Sequence, residues 1–221
     1  MKQTRRDFIL ATAGLLAAPL LGGAGPIPQR RIDFNAEQTE GLNRVSAWLN
    51  GLTTLTASFV QTNAQGRTSQ GTFYLARPGR LRFEYRAPSP LLIVATGGNF
   101  YVRNSRLNTV DHYSASDTPL GLLLDGNIDL KRNPAVLGIE RRPDGLVLHA
   151  RSATNRMSEN ITVTFATSGA ALQIQLRQWV VKDLQGDPTS VVLSQVQTGM
   201  ALPDALFAVP VKLPPMRTGA N

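Results

Sequence analysis

Side chains able to do acid–base, nucleophilic or metal chemistry are sparse in this sequence. There are two histidines, His112 and His149, and no cysteine. No His-x-x-x-His or His-Glu-x-x-His pairing links them, so a metal site is poorly supported. Asp111 precedes His112, but neighbours on a strand point to opposite faces, so adjacency does not make a pair. The Gly-x-Ser-x-Gly elbow of common hydrolases is absent, as is a glycine-rich phosphate loop. Spacing leaves open only a Ser-His-Asp set assembled from distant residues. Without cysteine there is no disulfide, thiolate metal site or thiol redox chemistry. Nothing resembles a cofactor box, so no metal, no cofactor and no enzyme activity are expected.

The elements around these residues say more. Lys2, Arg5 and Arg6 precede an apolar run from Phe8 to Leu21, followed by Gly22, Gly23 and Ala24. A basic region, a short apolar segment and small residues are the layout of an export signal. The run is short of the roughly 20 apolar residues that span a bilayer. Thr4-Arg5-Arg6-Asp7-Phe8 has the look of a twin-arginine signal, with Ile9 and Leu10 departing from the usual pattern. An ordinary secretion signal is the alternative, and either one exports the chain. Residues 1–25 are read as this signal, with cleavage near Ala24. Residues 26–34 are a linker, 35–213 a single domain and 214–221 a tail. With no cysteine to carry a lipid anchor, the exported chain is expected to be soluble in the periplasm and monomeric.

About 195 residues then remain, enough for one domain with a sizeable core. The net charge of the whole chain is +8. The signal holds three of these positive charges against Asp7, leaving +6 on the remainder. Such a surface suits anionic membranes or acidic partners. Export, and arginines not clustered with interleaved aromatics, argue against nucleic acid.

Leu42, Val45, Trp48 and Leu49 recur at helical spacing, which predicts a helix over 35–50. Beyond Gly51 the period becomes two. Strands are predicted over 55–63, 69–77, 80–86, 91–96, 100–104 and 107–113, with short turns that make them antiparallel neighbours. Leu120, Leu122, Leu123 and Leu124 predict a short apolar helix, with a second turn over 128–130. Strands resume over 136–141, 146–150, 161–166, 172–181 and 189–197. The tail, 202–215, is proline-rich and predicted extended. A sheet of about eleven strands should curl on itself to bury one face.

That face carries Phe73, Leu75, Leu81, Phe83 and Tyr85 in the first half. Ile161, Val163, Phe165, Leu172, Ile174 and Leu176 carry it in the second. Arg77 shares a face with Phe73 and Leu75 by alternation and is expected to point inward. Pro78 holds it extended. Alternation alone does not distinguish a filled barrel from a hollow one.

Several stretches resemble the periplasmic outer-membrane lipoprotein carrier family. They are Leu55-Thr56-Ala57-Ser58-Phe59-Val60-Gln61-Thr62 and the run from Gly71 to Tyr85, with Arg77-Pro78 before a Leu-x-Phe-x-Tyr strand. Pro88, Leu92-Ile93-Val94, Gly97-Gly98, Thr118-Pro119-Leu120, Asp183-Leu184-Gln185-Gly186 and Leu202-Pro203 follow in family order. The resemblance implies an unclosed antiparallel β-barrel, mainly β with some α, whose helices cap an apolar cavity. It implies a carrier that takes acylated lipoprotein cargo from an inner-membrane lipoprotein-releasing ABC transporter to an outer-membrane receptor lipoprotein. It places Arg77 where the family's arginine bonds to the lid of the empty carrier. Phe73, Leu75, Leu81, Phe83 and Tyr85 become cavity liners, Leu120 and Leu123 lid residues, and Trp48 either core of the helix or lining of the lid. A carrier or envelope sensor for another lipid or glycolipid is the alternative, and a cofactor-free hydrolase a third.

Overall fold

The computed structural model describes residues 32–151, 160–168, 173–183 and 185–209. The expected signal, most of the linker, the final tail, Leu172 and Leu184 lie outside the described residues.

Helix α1 (Ala36–Gly51) begins where the sequence changes from linker to amphipathic pattern. Asn35 caps it. The Gln38 amide donates to Asn35 Oδ1 at 2.8 Å, and the Asn35 amide donates to Gln38 Oε1 at 3.1 Å. This reciprocal box satisfies two N–H groups that a helix start leaves without partners. Leu42, Val45 and Leu49 are completely buried, as their spacing predicts. Gly41 lets the helix approach the sheet, since a Cβ there would sit 3.3 Å from Ile139 Cγ2.

The remaining chain forms β1 (Thr54–Thr62), β2 (Thr68–Ala76), β3 (Arg80–Tyr85), β4 (Leu91–Thr96), β5 (Asn99–Asn104) and β6 (Thr109–Ser114). After an insert come β7 (Val136–Arg142), β8 (Gly145–Arg151), β9 (Asn160–Ser168), β10 (Gln173–Lys182) and β11 (Pro188–Thr198). All eleven join one antiparallel sheet in the order β6-β5-β4-β3-β2-β1-β11-β10-β9-β8-β7. Pairing of the first strand with the last puts the free edges at β6 and β7. They do not pair with each other, so the barrel is unclosed, the architecture expected of this sequence.

Register places the alternating apolar residues on one face. Phe73 lies opposite Phe83, Leu75 opposite Leu81, and Leu81 opposite Ala95. In the second half Leu148 lies opposite Val163, and Val163 opposite Trp179. Register shifts interrupt three ladders, at Thr56/Ser58, Leu176/Gln178 and Val136/Gly138. Each increases local twist, which helps the sheet curl. Gly71 serves the same end, for a Cβ there would lie 2.0 Å from the Glu84 carbonyl oxygen and 2.8 Å from the Phe59 ring.

Three local predictions are refined. The short apolar helix after β6 is of 3-10 type, Pro119–Leu123, and is preceded by a further 3-10 turn, Ala115–Asp117. The second turn predicted over 128–130 is present but shifted to 129–132, where the Arg132 amide donates to the Asp129 carbonyl at 3.2 Å, and side chains of α1 bind the backbone at 128 and 130. The tail is not extended throughout, since Asp204–Phe207 forms another 3-10 turn. It docks on the outer face of β3, where Arg80 pairs with Asp204, and Arg82 Nη1 donates to the Leu206 carbonyl at 3.1 Å. The gain that bends it is burial of Phe207 beneath the Arg80 guanidinium, 5.1 Å from the ring centre.

Candidate functional site

Five aromatic side chains meet on the inner face. Phe59 comes from β1, Phe73 from β2, Phe83 and Tyr85 from β3, and Trp179 from β10. Phe83 is the hub, with ring centres 4.8 Å from Phe73, 5.3 Å from Phe59 and 5.9 Å from Trp179. Phe59 also meets Tyr85 edge-on at 5.0 Å. Such pairs add about 0.5–1.5 kcal/mol each beyond area burial. The Tyr85 hydroxyl donates to Gln61 Oε1 at 2.6 Å, so its one polar atom is satisfied inside an apolar cluster. Burial raises the Tyr85 pKa well above the ordinary tyrosine value.

The insert between the two free edges, residues 115–135, lies against this interior. Leu122, Leu123 and Leu124 are buried and belong to the same apolar cluster, while Leu120 is half-buried against it. Trp48 is half-buried on α1 and meets Phe165 of β9 edge-on at 5.8 Å. It therefore sits over the second half of the sheet rather than over the Phe83 cluster.

Arg77 joins the three parts. It directly follows β2 and, as alternation predicts, turns inward. Its Nη1 donates to the Leu49 carbonyl at the end of α1, and its Nη2 to the Asp125 carbonyl of the insert. The rigid fork of a guanidinium suits two acceptors at once. Next to it, the Gly79 amide donates to the Leu124 carbonyl at 2.9 Å. Burial lowers the Arg77 pKa, and nearby Asp125 opposes that shift. Nε is buried without a hydrogen-bond partner. The fork thus holds the helix and the insert together, with part of its charge desolvated.

A second set of bonds ties α1 to the insert. Asn50 Nδ2 donates to the Ile128 carbonyl and Asn50 Oδ1 accepts from the Ile128 amide, both at 2.9 Å. Ser46 Oγ accepts from the Leu130 amide at 3.1 Å. Neither residue stands out in the sequence. An Asn at a helix end reads as a stop signal, and no local pattern announces a partner 78 positions away.

The seam among Phe59, Phe73, Phe83, Tyr85 and Trp179 is filled by the rings themselves. A cleft of about 640 Å³ lies to its side, between the Gly97-Gly98 turn and the insert. Ala95, Leu122 and Leu124 give it an apolar wall; Asn99, Ser114, Thr118 and Asp125 give it polar ones. The predicted liners Phe73, Leu75, Leu81, Phe83 and Tyr85, and Leu123 of the insert, are all buried, and none of them lines this cleft.

The histidines belong to other surroundings. His112 stacks on Tyr101 at 6.1 Å on the outer face. His149 Nδ1 lies 3.4 Å from Thr162 Oγ1, and its Nε2 lies 3.2 Å from Glu140 Oε1. None of these contacts pairs a histidine with a serine nucleophile. Among the described residues no group of three His, Cys, Asp or Glu could hold a metal ion. No helix among them is long and apolar enough to cross a membrane.

Residues 50–210 match the family model described as outer membrane lipoprotein carrier protein LolA. An outer-membrane lipoprotein carrier protein of Chromobacterium violaceum is 28% identical over 213 residues, covering 91% of this chain and 92% of its own. Another, of Dechloromonas aromatica, is 28% identical over 207 residues, covering 90% of each. Among solved structures, a LolA superfamily protein of Nitrosomonas europaea aligns with a TM-score of 0.44 at 10% identity. That alignment covers 77% of this chain and 97% of the other.

Proposed function

Because the chain belongs to the outer membrane lipoprotein carrier family, we propose that it shelters the acyl chains of lipoproteins and moves them across the periplasm to the outer membrane. In this reading the inner-membrane lipoprotein-releasing ABC transporter loads it and an outer-membrane receptor lipoprotein unloads it. A carrier is needed because burial of an acyl chain is worth roughly 0.8 kcal/mol per methylene. A lipoprotein with long chains does not cross water unaided.

The observation that supports the reading best is the Arg77 fork, which closes the insert over an aromatic interior. A carrier has to bind and release with comparable ease. Its empty state must therefore be stable enough to compete with the loaded one. In the empty form the leucines of the insert occupy the inner face, and Arg77 fastens them there. Entering acyl chains displace these leucines from the inner face, at the cost of the two Arg77 bonds. Those lost bonds offset part of the hydrophobic gain and return the cargo to a receptor on demand.

The test is the mass of what the chain carries. Protein purified from the periplasm, in detergent-free buffer, is analysed by native mass spectrometry. A single intact acylated lipoprotein per chain is expected. Free lipid or glycolipid as the sole passenger would move the reading to another cargo. Turnover of an ester, lost with one serine or aspartate, would replace it with a hydrolase.

A further inference from the structure

The insert is fastened at Leu124 and Asp125 by the Gly79 amide and the Arg77 fork, and at 128–130 by side chains of α1, and these fastenings differ in kind. We propose that Asn50, with Ser46, is a positioning residue that pins the insert at 128–130 permanently. The stretch 115–125 then opens as a flap hinged on that pin when Arg77 lets go. This use of the pin rests on the carrier reading, but its existence can be tested without cargo.

Three features of the geometry support it. Ser46 and Asn50 are four residues apart and share one face of α1. Four helical residues rise about 6 Å, and two extended residues span about 6.6 Å. The spacing of 46 and 50 therefore suits that of 128 and 130, so one helix face reaches both backbone positions. Asn50 uses both its donor and its acceptor on one residue, Ile128. Ser46 Oγ donates to the Leu42 carbonyl at 2.7 Å, which fixes the hydroxyl and aims its free lone pairs at the Leu130 amide. Finally, the side chains on either side of these bonds are anchored, with Ile128 4% and Leu130 0% exposed. Freeing 128–130 would strand paired backbone groups and lift two core side chains at once.

Arg77 is the opposite case. It is a partly desolvated cation with Nε unpaired, on acceptors at Leu49 and Asp125. The leucines it fastens cover a surface that an acyl chain can cover equally well. Asp125 is the last residue bound by the fork and Ile128 the first bound by the pin, so the hinge falls between them, at Gly126.

The experiment is residue-resolved amide exchange by NMR on the purified full chain, without cargo. Arg77→Leu should speed exchange at Gly121 and Leu124 at least tenfold and change Ile128 and Leu130 less than twofold. Asn50→Ala should speed Ile128 and Leu130 at least tenfold. Asn50→Asp keeps an acceptor for the Ile128 amide and should fall between. Equal acceleration at all four amides in Arg77→Leu would overturn the hinge. So would unchanged Ile128 exchange in Asn50→Ala. If Asn50→Ala does not fold, Asn50→Asp and Arg77→Leu still decide. A chain that shows this pattern yet binds no lipoprotein counts against the carrier reading alone.

Discussion

Replacing Arg77 by Leu tests how much of the empty state rests on the fork. Two hydrogen bonds from a charged donor are lost, each worth about 1.5–3 kcal/mol. Against this, the variant no longer buries a cation whose Nε lacks a partner, a penalty of about 1–3 kcal/mol. The difference leaves the closed form weaker by about 2 kcal/mol. At 1.4 kcal/mol per factor of ten, that shifts closed against open about thirtyfold. On the carrier reading cargo binds the open form, so its apparent affinity should rise by as much as the closed form loses. Competition for a fluorescent fatty acid should show tighter binding by roughly ten- to fiftyfold, and handover to the receptor should slow in step. Arg77→Lys supplies a point donor in place of a fork and should fall between. Binding and handover unchanged in Arg77→Leu would refute the latch.

Other perturbations reach the scaffold beneath it. Burial raises the Tyr85 pKa, so the folded chain holds that proton after the unfolded chain releases it near pH 10. The stability this confers is complete below pH 10 and falls as pH rises further. In urea unfolding between pH 8 and 11, Tyr85→Phe should decline less steeply than the parent; parallel declines would contradict this. Gly71→Ala places a Cβ against the Glu84 carbonyl and should cost at least about 3 kcal/mol in chemical denaturation. Gly51→Ala meets nothing within 4 Å at the helix end and should be neutral or slightly stabilising.

The strand layout was legible because one face of the sheet is apolar and the other is not. Leu81, Phe83 and Tyr85 against Arg82 and Glu84 leave a single sensible register. The helix was legible from Leu42, Val45 and Leu49. Trp179 was hidden by a bulge. Simple alternation from Leu176 points Gln178 inward, but the extra residue at Arg177 restores Trp179 and Val181 to the inner face. The same device returns Val196 to the interior three residues after Leu193. The leucines of the insert predict a short helix, and Pro119–Leu123 forms one; its 3-10 form goes with Gly121, which packs against the Ala115 carbonyl where a Cβ would lie 2.2 Å away. Arg77 was legible in direction, but its partners Leu49 and Asp125 are backbone carbonyls, which carry no side-chain signature. Asn50 and Ser46 were illegible for the same reason, since what they bind is backbone.

A carrier of this kind should lift acylated lipoproteins out of a membrane, and mixing the purified chain with spheroplasts shows whether it does. Release of a soluble one-to-one complex with an acylated lipoprotein is expected, and no complex with the same protein lacking its acyl chains. Folded chain recovered without lipoprotein would contradict the carrier reading.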